Sequence, residues 1–150
     1  MDKALRTYVK ENGLTVTHNT AQGNFKGFHS TVSKGKAHVR ISVSAGFSNA
    51  EALAVFKEDL YQKSISREYR VLEITFLAQS IDIILSYHGA NDVTRIDAFM
   101  NYLLPLLRKH NAIRTVTKEV ATEEVLNSGF DFINTVQSLF NRRNRRCQSN

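Results

Sequence analysis

Asn24–Ala45 reads NFKGFHSTVSKGKAHVRISVSA, and its alternation decides the fold class. From Phe28 onward apolar and polar residues alternate with a period of two, the pattern of a half-buried strand. Ser33-Lys34-Gly35-Lys36 is a turn signal, and a two-residue loop centred on Lys34-Gly35 pairs Val32 with Ala37 and Ser30 with Val39. That register puts Phe28, Val32, Ala37, Val39, Ile41, Val43 and Ala45 on one face. His29, Thr31, Ser33, Lys36, His38, Arg40, Ser42 and Ser44 fall on the other. One face is predicted to be core and the other wet. Phe25 breaks the alternation, and a bulge at Gly27 is expected to re-aim it.

Upstream, residues 2–12 read as a helix carrying Leu5, Tyr8 and Val9 on one side and stopped at Asn12-Gly13, followed by a strand over Leu14–His18. Downstream, Ser48-Asn49-Ala50-Glu51 has the spacing of a capping box, with Ser48 as N-cap of a helix running to about Lys63 along Leu53, Phe56, Leu60 and Tyr61. Strands are predicted over Tyr69–Ala78 and Ile81–His88, joined near Gln79-Ser80, with Leu72, Ile74, Phe76, Ile81, Ile83, Leu85 and Tyr87 on the core face. Ile96, Phe99, Met100, Leu103, Leu104 and Leu107 mark the strongest helix, which Pro105 should kink. Ile113–Thr117 reads as a linker. The resulting fold class is α+β: an antiparallel sheet of about five strands with helices packed against it, in the order α-β-β-β-α-β-β-α, plus a C-terminal helical tail. The expected organisation is an α+β domain over 1–112, a helical extension over 113–141 and a basic, disordered tail over 142–150.

Composition narrows the chemistry. A length of 150 residues, 42% hydrophobic and 23% charged, describes one globular core that needs neither disulfide nor metal to fold. The lone Cys147 has no partner spacing, so a reducing, cytoplasmic compartment is expected, and no secretory leader or membrane-spanning segment is read in the sequence. The net charge of +6 is uneven: without Arg142, Arg143, Arg145 and Arg146, 16 basic face 14 acidic side chains. The basic character belongs to the C-terminus.

The element order over about residues 2–111 resembles the type III secretion chaperone fold, a small cytosolic α+β dimer that holds an extended segment of a partner protein. Tyr8-Val9-Lys10-Glu11-Asn12-Gly13-Leu14-Thr15-Val16, Lys26-Gly27-Phe28-His29 and Leu104-Pro105-Leu106-Leu107 carry a second resemblance. They are similar to uncharacterised soluble modules at the N-terminus of small bacterial membrane proteins, which would imply a cytosolic accessory domain.

Catalytic and cofactor signatures are weak. His29 and His38 sit diagonally on one predicted strand face, close enough in principle to share a metal ion, but that face offers no third ligand, and we read it as a solvated polar face. Glu73 and His88 are predicted diagonal neighbours in the second hairpin, which suits a surface contact better than acid–base work, since no nucleophile accompanies them. The glycines lack phosphate-loop spacing, and Lys26-Gly27-Phe28 departs from the RNA-recognition sheet motif at His29, Ser30 and Thr31. No catalytic, cofactor or metal residue is assigned.

The sharpest local signal is Arg142-Arg143-Asn144-Arg145-Arg146, preceded by Phe132, Ile133, Val136, Leu139 and Phe140 at helical spacing. The nine apolar and arginine residues are candidates for contact with a protein partner, nucleic acid or an anionic membrane surface. The function expected is a non-enzymatic, protein-binding or chaperone-like module, with a homodimer among its assemblies. The alternative is a charge-driven binder of nucleic acid or anionic membrane acting through that C-terminal segment.

Overall fold

α1 (Lys3–Glu11) forms on the predicted apolar stripe: Leu5, Tyr8 and Val9 are buried, and the Asp2 carboxylate caps the helix by accepting from the Leu5 amide at 2.9 Å. Asn12 ends it and Gly13, at φ 89°, turns the chain into β1 (Leu14–Thr17). β2 (Thr20–Phe25), β3 (Phe28–Lys34) and β4 (His38–Val43) follow as an antiparallel meander. The chain then makes the short β5 (Ala45–Gly46), α2 (Ala50–Leu60), the single-turn α3 (Ile65–Glu68), the hairpin of β6 (Val71–Phe76) and β7 (Ile81–Ser86), α4 (Val93–Lys109) and β8 (Ile113–Arg114). The structure, a computed structural model, describes residues 1–115, which form one unit, Met1–Thr115.

The protein is α+β. Its main sheet has six antiparallel strands in the order β1-β2-β3-β4-β7-β6, so the two hairpin systems meet where β4 pairs with β7, and β1 and β6 are the two edges. β5 and β8 make a separate two-stranded ladder. One face of the sheet carries Ala21, Phe28, Val32, Ile41, Ile83 and Leu85 into a core completed by α1, α2 and α4. All six predicted residues of α4 are buried there, each contributing roughly 1.5–3 kcal/mol by leaving water. The helix is continuous through Pro105. On the opposite face Asp82 accepts from Ser42 Oγ at 2.8 Å and pairs with Arg40 at 3.6 Å. Among the described residues no helix is long and apolar enough to cross a membrane.

Several local expectations are corrected. The sheet has a strand more than predicted because Lys26-Gly27 is a hairpin turn rather than a bulge: both residues have positive φ, 52° and 100°, and Phe25 pairs directly with Phe28. Directly opposed residues share a face, which is why both rings are buried. The β3–β4 loop is centred on Lys36-Ala37, since the Gly35 amide donates to the His38 carbonyl and Lys34 pairs with Val39, and Ala37 is exposed rather than core. This displaces the predicted register by four residues, an even number, so the face assignments within β3 and β4 survive, whereas Ser44, predicted wet, is buried just past the end of β4. Asn49, not Ser48, caps α2, accepting from the Ala52 amide at 2.8 Å. Leu72 points outward because a bulge between Val71 and Glu73 lets Val71 take the place opposite Leu85. Ile113-Arg114, read as linker, pairs with Ala45-Gly46.

Candidate functional site

Among the described residues β6 is paired on one side only, by β7. The Leu77 amide donates to the Ser80 carbonyl at 2.8 Å, which fixes the phase of this antiparallel ladder. Counting back by twos, Thr75 and Glu73 direct their backbone groups at β7, whereas Phe76 and Ile74 direct theirs at the open edge. A run of backbone donors and acceptors is therefore left without a strand partner among the described residues, a template for another strand.

Large apolar side chains stand exposed at the two ends of that edge, with Glu73 and Thr75 exposed between them. Leu72 is 63% and Leu77 51% exposed, at the two ends of the strand. α2 runs beside β6: Tyr61, half exposed, shares a groove of about 660 Å³ with Leu72 and Ile74, and Lys57 lies over the Phe76 ring at 4.6 Å. At the far end Leu53 and Phe47 line a second hollow of about 280 Å³ with Phe76 and Leu77. The outer side of α2 presents Val55, also half exposed. The groove and the hollow thus flank one open strand, with apolar side chains at each end.

The walls are anchored. Tyr69 and Tyr102 stack with centroids 5.7 Å apart, and the Tyr102 hydroxyl donates to the Leu60 carbonyl at 2.8 Å, closing the end of α2. Lys63 lies 4.7 Å from the centre of the Tyr102 ring and donates to the Tyr69 hydroxyl at 3.2 Å, a contact that holds its ammonium above the usual lysine range. Asp59 joins α2 to the end of α4, accepting from Lys109 Nζ at 2.9 Å and meeting His110 Nε2 at 2.8 Å. The hydrogen bond to His110, and then that to Lys109, holds the Asp59 carboxyl below the ordinary aspartate range.

Acid–base and metal chemistry find little to work with. His29 is registered with Asn24 and lies beside Ser44, while His38 is registered with Ser86, so the two histidines occupy opposite ends of the β3–β4 hairpin. Glu73 faces Ile84, while the His88 amide donates to Asp92 beyond the end of β7. Among the described residues no group of three or more His, Cys, Asp or Glu is placed to hold a metal ion. Burial, then the neighbouring Asp97, pushes the Tyr8 phenol up, and burial, then Asp2, does the same to Tyr87, so both act as hydrogen-bond donors.

Phe132, Ile133, Val136, Leu139, Phe140, Arg142, Arg143, Arg145 and Arg146, the contact candidates from sequence, lie outside the described residues. Leu72, Leu77 and Tyr61 were absent from that set. For the two leucines the signal was in the strand itself: Val71-Leu72 and Phe76-Leu77 are adjacent apolar pairs, and in a period-two strand one member of each must face away from the core. Tyr61, read as part of the apolar stripe of α2, is instead half exposed at its C-cap. No protein-family model matches the chain, and no curated protein matches it.

Proposed function

We propose that the protein is a non-enzymatic binding module that takes an extended segment of a partner protein as an added strand on β6. The observation that carries this reading is the open backbone edge at Ile74 and Phe76 with Leu72 and Leu77 exposed at its two ends. Backbone pairing supplies affinity, and alternate side chains of the incoming segment seat in the Tyr61–Leu72 groove and the Phe47–Leu77 hollow. The resemblance in element order to a chaperone fold that holds extended segments supports the same reading, as does a cytoplasmic setting inferred from the single Cys147.

Selection of displayed peptides against the full-length protein tests it. The binders should alternate apolar and polar residues, shift the amide resonances of Ile74 and Phe76, and lose affinity when their own backbone is N-methylated at alternate positions. Binders that map elsewhere, or that tolerate N-methylation, would contradict strand addition. A second copy of the chain pairing edge to edge would instead appear as a dimer in light scattering that dissociates on substitution of Leu72 and Leu77 by lysine.

A further inference from the structure

The Lys26-Gly27 turn lies against two arginines from distant elements, Arg108 and Arg114. Lys26 Nζ donates to Asn101 Oδ1 on α4 at 2.5 Å, and Arg108, also on α4, donates through Nη2 to the Lys26 carbonyl. Arg114 arrives from β8. The Arg108 and Arg114 guanidinium carbons lie 5.8 and 5.4 Å from the centre of the Phe28 ring, so the two side chains cover the buried ring while both remain exposed to solvent. A Cβ built on Gly27 would stand 3.6 Å from Arg114 Nη2 and 3.7 Å from Arg108 Nη2, so those nitrogens are at most about 7.3 Å apart. Glycine leaves the space between them open.

Among the described residues, neither Arg108 nor Arg114 is paired with a carboxylate in the ion pairs seen. Those pairs are Arg40–Asp82, Arg95–Asp92 and the Lys109–Asp59–His110 group. The Gly27 amide is already bonded to Asn24 Oδ1 at 2.8 Å, so the donors free to serve a ligand are those of the side chains. Two planar guanidinium forks flanking Gly27 suit a tetrahedral dianion, which accepts charge-assisted bonds of about 2.8 Å from several directions, while the Lys26 ammonium is directed along α4 to Asn101. A single carboxylate would compensate only one of the two guanidinium charges.

We propose that the Lys26-Gly27 turn, Arg108 and Arg114 form a binding site for a phosphoryl group, distinct from the β6 edge. A soluble phosphate ester and an anionic lipid headgroup present the same chemistry, and the experiment separates them. Inorganic phosphate is titrated into full-length protein at constant ionic strength and followed by amide and arginine side-chain NMR. The expected result is saturable shifts at Lys26, Gly27 and the Arg114 Nε–H with a midpoint on the order of 1 mM, as exposed charges give. Arg114→Gln should weaken binding at least about tenfold with an unchanged melting temperature, Arg114→Lys should rescue it only in part because the fork is lost, and Arg40→Gln on the opposite sheet face should leave it unaltered. Acetate should bind at least about tenfold more weakly than phosphate. Shifts that never saturate, or that persist equally in Arg114→Gln, would overturn the proposal. Sedimentation with phosphatidic acid vesicles that inorganic phosphate competes away would assign the lipid source. Phosphate binding without vesicle binding would assign a soluble one.

Discussion

β1, at one end of the sheet, is four residues long and turns Thr15 and Thr17 to solvent, whereas β6, at the other, leaves Leu72 and Leu77 exposed around an unpaired backbone edge. β1 is also locked from behind, since Gly23 of β2 packs so closely that a Cβ there would lie 2.8 Å from the Gly13 carbonyl oxygen and 3.1 Å from Leu14 Cα. β6 also exposes Glu73 and Thr75, so the contrast between the edges lies in length and in the two leucines at the ends of β6. The difference teaches that close backbone packing braces the β1 edge, whereas β6 combines an edge unpaired among the described residues with exposed leucines, the combination on which the proposed strand addition rests.

That contrast can be broken by substitution at either edge. The largest loss of stability is expected at β1: Gly23→Ala forces backbone apart and should cost about 2–4 kcal/mol by urea denaturation, because no flexible side chain can give way. Binding of a β6-directed peptide by the folded fraction should be unchanged. Tyr87→Phe, which removes the hydroxyl bonded at 2.8–2.9 Å to both Asp2 oxygens at the start of α1, should cost about 1–2 kcal/mol in the same assay. It sharpens the comparison by loosening α1, the neighbour of β1, without touching β6.

On the β6 side the sensitive element is the clasp of Asp59 with His110 and Lys109, which ties α2 to α4. The Asp59 carboxyl is held below its ordinary value in the folded state, so its contribution to stability is present above the unfolded aspartate value of about 3.9 and is lost as pH falls through the lower folded value. Asp59→Asn should therefore lower the urea midpoint at pH 7 and leave it close to wild type at pH 2, measured by fluorescence or circular dichroism. An equal difference at both pH values would assign the effect to packing rather than charge. Leu72→Lys with Leu77→Lys should have the smallest effect on folding, within about 0.5 kcal/mol, because both side chains already stand in water.

The fold was legible wherever burial imposed a period. α4 carries six apolar residues at helical spacing and buries all six, and the β3–β4 face assignment survived a wrong turn because a four-residue displacement preserves the side on which each residue lies. What escaped was set by backbone conformations with no periodic signature. Lys26 in a left-handed conformation turned a predicted bulge into a hairpin, and the extra residue at Leu72 reversed one position of β6. The β6 site was half legible, in its adjacent apolar pairs. The cation cluster was not, since Lys26, Arg108 and Arg114 come from distant parts of the sequence and only the packing of α4 and β8 beside the first hairpin unites them.

The most direct test of the account is the affinity of the Leu72→Lys, Leu77→Lys variant for peptides selected on the wild-type protein, measured by calorimetry beside its urea midpoint. Strand addition at β6 predicts a loss of at least about tenfold in affinity with the midpoint unchanged. Undiminished affinity in a variant that folds as the wild type does would contradict it.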